Sequence, residues 1–174
     1  MKENIVLIGM PGSGKSTLAR MLSNKLRMPM IDLDTEIETY TQKEISRLFE
    51  IGESHFRDIE TEVAKKFALK KNLIISTGGG IILREENMRA LQKNGIVIFL
   101  NRHIEKISDD VQIATRPLLK DGVERLQKLY VERIDLYHKY AHITIENNDN
   151  LIMALNEIIE ALNAYVQKGT ANEI

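Results

Sequence analysis

Two rhythms of apolar residues alternate along the chain. Short, nearly continuous apolar runs stand at 5–8, 30–33, 73–76, 96–100 and 142–145. Between them lie segments whose apolar residues recur every three or four positions: Leu18, Met21, Leu22 and Leu26; Phe56, Ile59, Val63 and Phe67; Leu126, Tyr130, Ile134 and Tyr137; and Leu151, Leu155, Ile158 and Leu162. The first rhythm predicts strands buried on both sides, because a sheet with one wet face alternates apolar and polar side chains. The second predicts amphipathic helices. Such alternation leads to a doubly wound parallel sheet with right-handed crossovers, helices on both faces and ligands at the carboxyl ends of the strands. No linker-like, low-complexity or repeated stretch interrupts it, so one α/β domain over residues 1–174 is expected.

Composition narrows the partners. The 174 residues include 24 Lys plus Arg against 25 Asp plus Glu, a formal net charge of −1. No broad basic field exists to attract nucleic acid or a membrane surface, so any anion has to be bound locally. Cysteine is absent, which removes disulfides, thiolate metal sites and cysteine nucleophiles. The start MKENIVLIG lacks the pattern of a secretory signal, and the apolar runs fall far short of the ~20 residues that cross a bilayer. A cytoplasmic protein is expected, with neither nucleic acid nor membrane as partner.

Directly after the first strand comes GMPGSGKS, Gly9 to Ser16, followed at once by a helical segment. This fits the Walker A pattern in its required context. Glycines let backbone N–H groups turn inward around a phosphate, the helix N-terminus adds partial positive charge, Lys15 reaches the β and γ oxygens, and Ser16 is placed to ligate magnesium. The candidate phosphate ligands are Gly12, Ser13, Gly14, Lys15, Ser16 and Thr17. The motif leaves open whether the γ-phosphoryl group passes to water or to a substrate.

Three further features bear on the acceptor. Asp32 and Asp34 in IDLDTEIE face one side of an extended chain, where one approaches a magnesium shell and the other an acceptor hydroxyl; the same residues also suit a solvated acidic first turn of a helix. STGGG, Ser76 to Gly80, is either a flexible turn or a place where backbone comes very close to a ligand. Arg57, Arg116 and Arg133 are candidate anion ligands. Arg57 has Glu53 and Glu60 within a turn and Arg133 lies on a charged helix, so solvated ion pairs are the bland alternative for both. Arg116 precedes Pro117 in a stretch, 108–122, with few apolar anchors, as expected of a mobile lid.

Taken together, GMPGSGKST, IDLDTEIE, the stretch with Phe49, Gly52, Glu53, Phe56, Arg57 and Glu60, STGGGIIL and TRPLL resemble shikimate kinase, a P-loop family of the nucleoside monophosphate kinase type, in order and approximate spacing. The resemblance implies a three-layer fold with a five-stranded parallel sheet of order 2-3-1-4-5, a mobile lid and a substrate-binding helical segment at about 33–62. It implies ATP and Mg²⁺, and transfer of the γ-phosphoryl group to the 3-hydroxyl of shikimate in the route to chorismate and aromatic amino acids. A monomer is expected. Asp34, Arg57, Gly78, Gly79, Gly80 and Arg133 then bind shikimate, with guanidinium forks matching its carboxylate. Asp32 resembles the residue that steadies magnesium through water beside Ser16, and Lys15, Asp34 and Arg116 carry catalysis. Phe49 and Phe56 suit either the apolar ring face of the ligand or the core. The chain departs from the family at Asp109, where an arginine often packs on adenine, and at Asp135, where proline is common. Lys106 is a candidate substitute for the missing arginine.

An ordinary aspartate titrates at ~3.9 and water at ~15.7, so Asp34 orients the acceptor hydroxyl rather than deprotonating it in advance. His138 and His142 stand four apart, but they lead into the last strand and no metal site is expected there. The end QKGTANEI reads as a frayed tail. Two rival classes share the Walker loop: a kinase for another small hydroxy acid such as gluconate, and an ATPase or switch that needs no acceptor pocket.

Overall fold

Five strands, β1 (Asn4–Ile8), β2 (Met30–Asp32), β3 (Ile74–Ser76), β4 (Gly95–Asn101) and β5 (Ile143–Glu146), pair in parallel throughout, in the spatial order 2-3-1-4-5. The computed structural model describes residues 3–110, 122–148 and 150–171. Arg116 and most of the lid expected over 108–122 lie outside the described residues, as does the side chain of Asp109.

The continuous apolar runs are explained by a separate core on each face of the sheet. Along β1, Ile5 and Leu7 pack with Leu18 and Leu22 of α1 (Lys15–Leu26) and with Ala154 and Ile158 of α8 (Leu151–Ala171). Val6 and Ile8 point the other way, into the core that also holds Ile37 of α2 (Leu33–Thr41), Leu48 of α3 (Ile45–Ile51), Phe67 of α4 (Glu53–Ala68) and Leu91 of α5 (Glu85–Asn94). Ile107 of α6 (Ile104–Asp110) and Tyr137 of α7 (Val123–Tyr140) join that same core. Successive side chains of a strand face opposite ways, so only a sheet covered on both sides needs every position apolar. Each large apolar side chain buried in this way contributes roughly 1.5–3 kcal/mol.

Over 33–62 the chain forms three helices, because it turns through Gln42 at φ 55° and Gly52 at φ 151°. One expectation needs correction. The end expected to fray from Gln167 continues as helix to Ala171. Tyr165 carries α8 past Leu162 by packing edge-on against His142, ring centroids 5.8 Å apart. Among the described residues no helix is long and apolar enough to cross a membrane.

β1 lies between β3 and β4, so the chain leaves its carboxyl end at the point where the crossovers diverge, with the ends of β2 and β3 alongside. Open α/β sheets place ligands there.

Candidate functional site

The phosphate loop leaves β1 and enters α1 through Gly14, which caps the helix at φ 92°, a conformation that costs any other residue. Its outer side is held by partners from far along the chain: Asn147 Nδ2 donates to the Ser13 carbonyl at 2.8 Å and Arg102 Nη1 to the Gly12 carbonyl at 3.3 Å. Lys15 is buried, and its ammonium folds back to donate to the carbonyls of Gly9 (2.9 Å) and Met10 (2.8 Å). The first N–H groups of α1 have no acceptor within the helix, as an anion site requires.

Ser16 Oγ donates to Asp32 Oδ2 at 2.7 Å and stands 3.3 Å from Ser76 Oγ. A hydroxyl next to a carboxylate is a hard-oxygen pair that suits magnesium, which keeps several waters and takes phosphate oxygens as well. Among the described residues no three His, Cys, Asp or Glu side chains cluster as a metal site. His142 Nδ1 instead accepts from the Val97 N–H at 2.9 Å, a structural bond at the sheet edge.

The extended-chain account of the acidic pair is overturned. β2 ends at Asp32, which caps α2, and its Oδ1 accepts from the Asp34 N–H at 3.1 Å. Asp34 therefore sits in the first helical turn, yet its carboxylate still reaches the ligand space. Asp32 lines a cavity of about 920 Å³ with Lys15 and Ser16, and Asp34 lines both this cavity and an adjoining one of about 430 Å³. Gly12, Ser13, Gly14 and Thr17 stand in the loop and the start of α1 but do not line the larger cavity.

The smaller cavity gathers Asp34, Arg57, Arg133 and Gly78 to Gly80 from four parts of the chain. None of these three glycines has a positive φ. What they provide is space: a Cβ on Gly78 would lie 2.8 Å from Asp34 Oδ1, one on Gly79 2.7 Å from Pro11 Cδ, and one on Gly80 inside the Arg57 guanidinium. STGGG is a turn, with the Ile81 N–H donating to the Gly78 carbonyl at 3.3 Å, and one in which the chain's own side chains come very close to the backbone. Phe49 and Phe56 stack at 4.4 Å between centroids and both line this cavity, with the Arg57 guanidinium 5.0 Å from the Phe56 ring.

Nor is Arg57 in a solvated ion pair. Its Nη1 donates to Glu60 Oε2 at 2.7 Å, with side chains only 10% and 2% exposed, while Nη2 meets the exposed Glu53 at 3.2 Å. Burial pushes the Glu60 carboxyl above its ordinary value of 4.5, against the opposing pull of Arg57. A carboxyl raised in the folded state keeps a proton that the unfolded chain has released, so it favours folding at low pH, and that advantage fades as pH rises through the window above 4.5. The stability difference between wild type and Glu60→Gln, measured by denaturant melts across that window, should shift against the wild type as pH rises. A difference that moves the other way would mean that Arg57 outweighs burial.

Residues that local patterning missed are Glu60 as the buried anchor of Arg57, Arg125, which lines both cavities, and Tyr137, whose hydroxyl donates to the Gly79 carbonyl at 2.6 Å. Arg133 Nη1 donates to that same carbonyl at 3.3 Å. Periodicity marked Tyr137 only as a core position. As a whole, the site can hold a phosphate chain in the larger cavity and a small hydroxylated anion in the smaller one, with Asp34 at their junction.

A family model described as shikimate kinase matches residues 11–163. A shikimate kinase of Clostridium botulinum (strain Alaska E43 / Type E3) is 46% identical over 158 residues, covering 91% of this chain and 96% of the relative. Among solved structures, a shikimate kinase from Acinetobacter baumannii in complex with shikimate superposes with a TM-score of 0.86 at 34% identity, over 95% of this chain and 94% of that one. A gluconokinase from Sinorhizobium meliloti 1021 gives 0.58 at 13% identity, over 95% and 97%, a likeness of fold alone.

Proposed function

The chain belongs to the shikimate kinase family, and from that premise we propose how its own residues serve the reaction. It is a kinase that phosphorylates shikimate with ATP as co-substrate, in the shikimate pathway. The acceptor is the 3-hydroxyl. The observation that carries this reading is the small cavity, where Arg57, Arg125, Arg133 and Asp34 meet three glycines beside the phosphate loop.

Shikimate is a small ring with one carboxylate and three hydroxyls, and a volume of about 430 Å³ suits a ligand of that size. Arg57 and Arg133 take its carboxylate, Gly78 to Gly80 bring backbone against its ring, and Asp34 accepts from the reacting hydroxyl. The phosphates of ATP lie along the loop from Gly12 to Thr17. Lys15 leaves its own loop carbonyls for the β and γ oxygens, neutralising charge where it develops. Ser16, and Asp32 through water, would hold Mg²⁺, which neutralises phosphate oxygens when bound. The resemblance alone assigns Arg116 to the phosphates and a closing lid to 108–122. A monomer in a cytoplasmic setting completes the proposal.

A coupled assay of ADP release with a panel of hydroxy acids tests the reading. Turnover that depends on shikimate supports it; turnover with gluconate, or hydrolysis without any acceptor, would overturn it. Arg133→Ala should lower kcat/KM for shikimate by roughly 10- to 150-fold, the equivalent of about 1.5–3 kcal/mol for a charge-assisted hydrogen bond, with the KM for ATP unchanged. Unchanged shikimate kinetics would remove Arg133 from the site.

A further inference from the structure

Gly79 is held from two sides. Its Cα lies so close to Pro11 of the phosphate loop that no Cβ fits between them, and its carbonyl accepts from both Tyr137 Oη at 2.6 Å and Arg133 Nη1 at 3.3 Å. The shorter of these bonds comes from a group that faces no ligand. Tyr137 is fully buried, its ring stacks on Phe99 at 4.9 Å and 11°, and its hydroxyl stands 3.9 Å from Met10 Sδ. The stack aims the hydroxyl at the carbonyl.

We propose that Tyr137 is a positioning residue for the acceptor: its hydroxyl is the main donor to the Gly79 carbonyl and lies against the Arg133 guanidinium, which fixes the Gly78–Gly80 backbone against the cavity and holds Arg133 at its edge. The Gly79 carbonyl is half-buried at the cavity wall, and one that loses its best donor draws in the next, because leaving it unsatisfied is costly. The nearest donor is Arg133, already 3.3 Å away. Without the hydroxyl, Arg133 is drawn towards the carbonyl and away from the acceptor carboxylate, and the two neighbouring glycines lose their fixed register. The phosphate loop loses the Tyr137 contact to Met10 Sδ but keeps its bonds from Asn147 to Ser13 and from Arg102 to Gly12, which hold its shape for the nucleotide.

This inference rests on the acceptor reading above, and the experiment separates the two. Tyr137→Phe keeps the ring stack and removes one oxygen. Its KM for shikimate should rise about tenfold, the effect of one net hydrogen bond, with kcat within about twofold of wild type and the KM for ATP unchanged. The rise in melting temperature that shikimate produces should shrink, while the rise that ADP produces stays. Wild-type protein without shikimate turnover would remove the premise. Wild-type turnover together with an unchanged shikimate KM in Tyr137→Phe, or an equal rise in both KM values, would overturn the inference alone. If Tyr137→Phe does not fold, Phe99→Leu releases the aim of the hydroxyl and is read in the same way.

Discussion

Lys15→Ala is expected to lower kcat by roughly three orders of magnitude or more, the scale seen when a charge aimed at a transferring phosphoryl group is removed. That corresponds to about 4 kcal/mol of transition-state stabilisation. The structure explains both why the loss is large and how a false reading can arise. The ammonium is buried and donates to the Gly9 and Met10 carbonyls, so its carrier is already ordered and its charge is already within the loop. Transfer to phosphate exchanges two neutral acceptors for anionic ones, at little further cost in side-chain entropy. The same two bonds mean that alanine also strips donors from loop carbonyls, and stability falls as well. Activity therefore has to be read beside the melting temperature and the shikimate-induced shift in it. A folded Lys15→Ala protein that still shows the shikimate shift and has kcat within tenfold of wild type would place the ammonium outside the transition state.

How far the sequence could be read follows from the range of each interaction. β1 and β4 were legible because burial on both faces leaves an unbroken apolar run, as at Ile5 to Ile8 and Ile96 to Leu100. The Walker loop was legible because its residues act within one turn of chain. Arg57 with Glu60 shows the limit: spacing of three on a helix looks the same whether the pair is in water or under the Phe49 and Phe56 rings, since periodicity carries no depth. The acidic pair failed differently. β2 stops at Asp32, one residue short of the expected run, because that side chain caps α2, and the helix that starts at Leu33 takes Asp34 out of extended chain. Tyr137 and Asn147 were invisible as site residues because their partners lie 58 and 134 residues away. The triple glycine was singled out, but only packing shows that it exists for Asp34, Pro11 and Arg57 to come close.

Asp34→Asn is expected to lower kcat by about 10²–10³-fold while the KM for ATP stays within twofold, the usual loss when a positioned proton acceptor is removed. Asparagine keeps the shape of the side chain and one oxygen, and the cap from Asp32 to the Asp34 N–H is a backbone bond that survives the change. What goes is the negative charge at the junction of the two cavities. A loose transition state asks the acceptor oxygen for alignment first and proton release late, so the residual rate of Asn over Ala measures the aligning part and the deficit of Asn against Asp the charge. A second readout is independent of catalysis. The Asp34 charge is one of the influences that hold the Glu60 carboxyl high, behind burial, so Asp34→Asn should bring the pH window of the Glu60 stability change down towards 4.5. If ATP affinity fell as steeply as kcat, Asp34 would belong to the nucleotide rather than to the acceptor. If the Glu60 window stayed where it is in the wild type, the carboxylate would not face the cavity that Arg57 and Glu60 border.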